Sequence, residues 1–404
     1  MFPAHTHRAL RSLLMSCIAA VMLASPALCA AADSATSAAP STTGTTGATV
    51  LPLASTLPAG KALISLLLPL NAPDFSAPAI AVQKGCEAAL ALNASTVILE
   101  IARTSGDPGN ISSAWLAAAE RGAGVIVGPL TRNAVTALAS MLSDPSWNRT
   151  ASRAPITLTL NTPEDLPLLP PRFYTFGLVI EQEARAVARM AWSDGRRSSF
   201  VVQSRNPLAR RSSQAYAAEW LALGGRIIHV EDVDASTDLV ELKTRFSRPS
   251  PDTETQSDMI FLSADAEEAR RLRPYLDNQT AVYATSLVND GRQDAGANVD
   301  LAGIRFVDMP WMLQPDHPAV MVYPRPDYAS PELQRFYALG VDACRFANQL
   351  LTQSGRINLD GVTGRLSLLV TPGAGGAAVA REPMLAVFAD PSASPPPPAD
   401  ITQP

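Results

Sequence analysis

Catalysis by nucleophile and base draws mostly on histidine, cysteine and lysine, and this chain has little of any of them. Its 404 residues include four histidines and four cysteines, and lysine stands only at Lys61, Lys84 and Lys243. His5, His7, Cys17 and Cys29 lie in a stretch that reads as a leader, which leaves His229, His317, Cys86 and Cys344. There is no Gly-x-Ser-x-Gly elbow, no His-Glu-x-x-His helix, no Cys-x-x-Cys pair and no Walker phosphate loop. Serine hydrolysis, a zinc centre and P-loop chemistry therefore have no carrier, and no metal or cofactor is expected. A net charge of −5 gives no electrostatic case for nucleic acid. Long apolar runs are missing as well. Beyond the leader, nothing approaches the ~20 residues needed to cross a bilayer as a helix.

What is present begins with an export signal. Arg8 and Arg11 form a positive start, Leu13 to Leu23 a short apolar run, and Ala27 to Ala32 a small-residue site with Ala30-Ala31-Ala32 suited to cleavage. A lipoprotein signal is the alternative, with Cys17 or Cys29 as the acylated residue. Residues 1–32 are thus expected to be a signal peptide and 33–58, rich in Ser, Thr, Ala, Pro and Gly, a flexible linker. Residues 391–404, with Pro395 to Pro398, read as a disordered tail. The expected compartment is the periplasm, with membrane attachment only through a lipid anchor, a tether to the outer membrane. In that oxidising compartment Cys86 and Cys344 can form a disulfide. The alternative is two small buried side chains on separate helices.

With 47% hydrophobic and 17% charged residues, the rest can build a sizeable core. Strand-like runs alternate with helical ones. KALISLLLPL (Lys61 to Leu70), TVILEI, VIV (Val125 to Val127) and PITLTL are β-rich. Between them, Ala79 to Leu92, Ser113 to Glu120 and Arg132 to Leu142 have helical spacing. The pattern restarts after Phe173 and runs through SSFVVQ, RIIHV, MIFL and AVYAT, again with helices between. Such alternation predicts an α/β chain, doubly wound over parallel sheets, in two lobes with a cleft between them. Lobe 1 is expected at about 60–165, completed by a returning segment 330–390, and lobe 2 at about 173–325. Leu366 to Val370 and Met384 to Phe388 read as a terminal hairpin-like pair.

Open α/β sheets bind ligands beyond the carboxyl ends of their strands. The turns there nominate Asn71, Gly128, Thr131, Asn161, Thr162 and Ser286 as hypothetical cleft residues. Hydroxyls and helix N-termini suit an anionic or zwitterionic group. The plainer reading is that Thr131 caps its helix and Gly128-Pro129 only turns the chain. Glu181 and Asp308 are the acids nearest to such a site. His229, within RIIHV, reads as structural, and His317, between Pro315 and Pro318, as solvated. Glu164-Asp165 read as a solvated loop, and Gly373 to Ala377 as a turn rather than a dinucleotide loop.

Several segments recur in a familiar order: GVIVGPLTRNAVTALA, FYTFGLVIEQEARAVARMAW, DMIFLSADAEEARRLRPYL, GIRFVDMPW, FYALGVDACRFANQLL and VTGRLSL. The set resembles the C-terminal domain of the penicillin-binding protein activator family, over roughly Lys61 to Phe388. The resemblance implies the type I periplasmic-binding-protein fold and a non-catalytic role. That role is to dock on a class A penicillin-binding protein, a bifunctional peptidoglycan synthase, and to stimulate transpeptidation. The competing expectation is a solute-binding component of an importer, with an amino acid or similar small molecule in the cleft.

Overall fold

The structure, a computed structural model, describes residues 60–92, 96–144, 154–164, 166, 168–247, 257–292 and 296–389. The expected signal peptide, linker and tail, together with Asp165, lie outside the described residues.

The first sheet grows from the β-rich runs of the amino-terminal half. Strand β1 (Ala62–Leu68) is followed by helix α1 (Pro73–Ala91), β2 (Val97–Arg103), α2 (Pro108–Glu120), β3 (Val125–Val127), α3 (Arg132–Ser143), β4 (Ile156–Thr159) and β5 (Phe173–Thr175). β1, β3 and β4 run through the middle of the sheet with nearly every side chain buried, as strands covered on both faces require. α1 starts at Pro73, earlier than its apolar spacing suggests. Proline is at home in a first helical turn, where its missing N–H has no intrahelical partner to lose.

The second sheet repeats the design. It comprises α4 (Ile180–Ser193), β6 (Ser198–Ser204), α5 (Pro207–Ala222), β7 (Arg226–Val233), α6 (Leu239–Ser247), β8 (Met259–Ser263), α7 (Ala266–Leu272), β9 (Ala281–Ala284) and β10 (Arg305–Asp308). The closing stretch holds α8 (Pro310–Leu313), α9 (Pro318–Met321), α10 (Pro331–Leu350), β11 (Gly355–Gly361), β12 (Gly364–Val370), β13 (Ala377–Ala378), β14 (Ala380–Glu382) and β15 (Met384–Val387).

Strand order is β13-β5-β4-β3-β1-β2 in the first sheet, β15-β10-β9-β8-β6-β7 in the second and β11-β12-β14 in a small third sheet. The first sheet is parallel throughout. In the second, only β15 runs antiparallel, against β10. Three readings change here. Phe173–Thr175 belongs to the first sheet rather than opening the second lobe, because it pairs with β4. Leu366 and Met384 do not share a hairpin: β12 pairs with β11 and β14, while β15 returns to the second sheet. His317 is not solvated. Its Nδ1 accepts the Ala319 N–H at 3.2 Å and caps α9.

α10 lies on α1 in the core of the first lobe, and Cys86 and Cys344 meet there. Both are fully buried and their sulfurs are bonded, with Cα atoms 5.2 Å apart across 258 residues of sequence. The close approach depends on two glycines. A Cβ on Gly85 would run into the Tyr337 carbonyl, and one on Gly340 into the Val82 carbonyl. The third sheet joins the same core through Ile357, Leu359, Leu366 and Leu368. The second lobe has separate cores, one built on stacked rings. Tyr216 lies 3.9 Å from Phe261 and 5.7 Å from Trp220 between centroids.

Candidate functional site

The carboxyl ends of β1, β3 and β4 open into a cavity of about 720 Å³. Phe75, Leu130, Leu160 and Leu339 give it apolar walls, and Thr131, Arg132, Asn161 and the acids Asp74 and Asp107 are among its polar groups. A second cavity of about 720 Å³ lies beyond β8, β9 and β10, bordered by Ser286, Asn289, Arg270 and Asp290. Leu178 and Phe336 line both, so the two cavities are halves of one cleft between the lobes. Each is within the usual range for a small-ligand site.

The nominated residues divide by what they do. Thr131 and Asn161 line the first half and Ser286 the second. Thr131 occupies the N-cap position of α3 with extended backbone, but its hydroxyl makes no capping hydrogen bond, so the capping reading is corrected. Asn161 is spent on the backbone: its side-chain N–H donates to the Leu130 carbonyl at 3.2 Å and its Oδ1 accepts the Thr162 N–H at 3.0 Å. Asn71 donates its backbone N–H to Thr104 at 3.0 Å, at the rim beside Ala72 and Pro73. Gly128 is a packing residue. Its φ of 108° and the Leu67 carbonyl pressed against it leave no room for a Cβ. Its N–H is taken by the Leu158 carbonyl at 2.8 Å.

The acids expected near the cleft are neutralised by arginines. Glu181 accepts Arg211 at 2.7 Å and has Arg132 at 3.7 Å. Asp308, fully buried, takes Arg335 on both oxygens, at 2.6 and 3.3 Å, together with the side-chain N–H of Asn289 at 2.9 Å. Burial works against the charge of Arg335, but Asp308, Glu183 and Glu332 together more than offset it and raise the pKa of the guanidinium above its ordinary value. Glu183 receives Arg381 at 3.0 Å on one oxygen and the Ser286 N–H at 3.1 Å on the other. On the far wall Arg270 and Arg292 share Asp290, at 2.8 and 3.3 Å. A ligand ammonium would have to displace an arginine to reach Asp308 or the Glu183 oxygen that Arg381 holds, at the cost of leaving a buried charge unpaired.

Sequence reasoning reached Asp308 and Ser286 but missed Glu183, Arg335 and Arg381. Glu183 and Arg381 are 198 positions apart and nothing local marks either one. Among the described residues no group of three or more His, Cys, Asp or Glu side chains could hold a metal ion, and no helix is long and apolar enough to cross a membrane.

Residues 58–372 match the family model described as "LppC putative lipoprotein". Among curated proteins, the chain is 27% identical over 289 residues to "Penicillin-binding protein activator LpoA" of Edwardsiella ictaluri, covering 62% of this chain and 41% of that one. It is 26% identical over 311 residues to the protein of the same name from Haemophilus influenzae, covering 75% and 51%. The chain thus spans about half the length, or less, of these relatives. Among solved structures, a "putative branched-chain amino acid ABC transporter" from Chromobacterium violaceum superposes with a TM-score of 0.65 at 31% identity, covering 81% of this chain and all of that one. The C-domain of H. influenzae LpoA, described as "a regulator of PBP1A", superposes with a TM-score of 0.64 at 23% identity, covering 81% and 98%. The two-lobed α/β fold is of the periplasmic-binding-protein type.

Proposed function

Because the chain belongs to the LppC putative lipoprotein family, we propose that it is a non-catalytic periplasmic regulator that binds a class A penicillin-binding protein and stimulates its cross-linking of peptidoglycan. The names of the curated relatives supply the direction of this reading. The observation that carries it is the state of the cleft. Glu181, Glu183 and Asp308, the three acids beside the passages between the lobes, are each held by an arginine of the same chain. A fold that ordinarily closes on a small ligand here spends these three carboxylates on its own arginines, which suits a platform for another protein. An outer-membrane lipid anchor is part of the proposal, since a tethered regulator acts at high effective concentration.

The test is a pull-down of the purified chain with a class A penicillin-binding protein, read together with cross-linking in an in vitro synthesis assay. Capture with faster cross-linking is the expected outcome; absence of both sinks the proposal. The importer reading makes the opposite prediction, a rise in melting temperature with amino acids at millimolar concentration. No such rise is expected.

A further inference from the structure

The chain passes between the lobes three times: from β5 to α4 through residues 176–179, from β10 to α8 at Met309, and from β14 to β15 at Pro383. Each passage carries one buried charge. Glu183 lies in the first turn of α4, Asp308 is the last residue of β10, and Arg381 stands two residues before Pro383. Arg335, near the start of α10, completes the set. Side-chain exposure is 6% for Glu183, 0% for Asp308, 1% for Arg381 and 12% for Arg335.

These groups form one connected chain of hydrogen bonds. Arg381 donates to Glu183, and Glu183 accepts the Ser286 N–H. The Ser286 and Asn289 carbonyls accept from Arg335 at 3.3 and 2.8 Å, and Arg335 binds Asp308. Asp308 also accepts the Met309 N–H at 2.8 Å, at the second passage itself. The signs are sorted by lobe. Both arginines belong to elements packed in the first core, α10 and the third sheet, while both acids belong to elements of the second lobe.

A hinge works by changing backbone angles at a few residues where the chain crosses between lobes. Here all three crossings are tied into the same buried cluster. Opening the lobes would pull both cations away from both anions and strand four charges in a low-dielectric interior. We infer that the buried cluster Arg335–Asp308–Ser286–Glu183–Arg381 is a latch that holds the two lobes at one fixed angle, so that this chain does not open and close as a ligand trap. The inference stands apart from the proposed partner, since it concerns the motion of this chain alone.

Hydrogen exchange of the full chain read by mass spectrometry, with small-angle scattering in parallel, tests it. Two variants remove the latch differently. Glu183→Gln keeps the shape and loses one charge; Arg335→Met with Asp308→Leu removes a whole pair and leaves no orphan charge. The expected result is exchange faster by on the order of tenfold in the peptides holding Ser286 and Met309, with the interiors of β1 and β8 unchanged and a larger radius of gyration. The wild type should protect those hinge peptides as well as it protects the strands. Unchanged hinge exchange in both variants overturns the inference. So does a wild-type chain whose hinge peptides already exchange faster than its strands. If Glu183→Gln fails to fold because Arg381 is left buried without its partner, the Arg335→Met with Asp308→Leu variant decides, and unchanged hinge exchange in that variant overturns the inference.

Discussion

The two lobes follow one plan of parallel strands and flanking helices but are secured by different means. In the first, α1 and α10 come together over paired glycines and are bonded through Cys86 and Cys344. In the second, Tyr216, Phe261 and Trp220 stack inside, and pairs such as Arg245 with Glu231 and Glu241 decorate the outside. The difference follows from chain order. The first lobe is assembled from both ends of the sequence, so its last helix must be fastened to a helix some 250 residues earlier. A cross-link over so long a loop removes much freedom from the unfolded chain. Apart from the returning strand β15, the second lobe is continuous in sequence and packs by local succession.

Reduction should break this comparison most sharply. Loss of the disulfide, by reductant or by Cys86→Ser with Cys344→Ser, is expected to cost the first lobe about 2–4 kcal/mol in a urea titration. Hydrogen exchange should quicken in α1 and α10 while the β6 and β8 peptides stay protected. Equal loosening of both lobes would mean that they unfold as one unit.

Gly340→Ala comes next. The added methyl meets the Val82 carbonyl, which is backbone and cannot swing away, so the two helices must part. A loss of about 1–3 kcal/mol is expected, seen as a lower melting temperature. Gly195→Ala, in open space at positive φ, separates backbone strain from collision and should cost less.

Asp342 offers a pH handle on the first lobe alone. It is fully buried on α10, where it accepts from Thr363 and Val362 N–H groups and from Arg345. Burial raises its pKa above the ordinary 3.8 despite Arg345 and those hydrogen bonds. A carboxyl whose folded value lies above its unfolded one contributes stability that is complete below the unfolded value and lost as pH rises through the folded value. Stability measured across that range, wild type minus Asp342→Asn, should therefore fall as pH rises above about 4. A flat difference would show that the hydrogen bonds cancel the burial.

Thr131→Ala should do least. Its hydroxyl caps nothing, so a change within about 0.5 kcal/mol is expected rather than the ~1 kcal/mol of a lost cap. A full cap-sized loss would place that hydroxyl on the α3 backbone after all.

What could be read in advance was mostly local. The VIV run and the Gly128-Pro129 stop gave β3 and its turn, because β-branched residues and turn formers act over a few positions. The start of α1 was hidden, since prolines at 73 and 78 look like loop. The fate of the cleft was hidden more deeply. Ser286 and Asp308 could be nominated at strand ends, but whether Asp308 faces a ligand or an arginine depends on Arg335 on a later helix. Periodicity and family motifs by themselves determined the doubly wound fold and the pairing of the two lobes, since apolar spacing prescribes which faces are buried. Only the tertiary structure decided the disulfide, the return of β15 to the second sheet and the arginine-filled hinge, because each joins residues with no local signal of contact and is settled by which buried charges and faces meet.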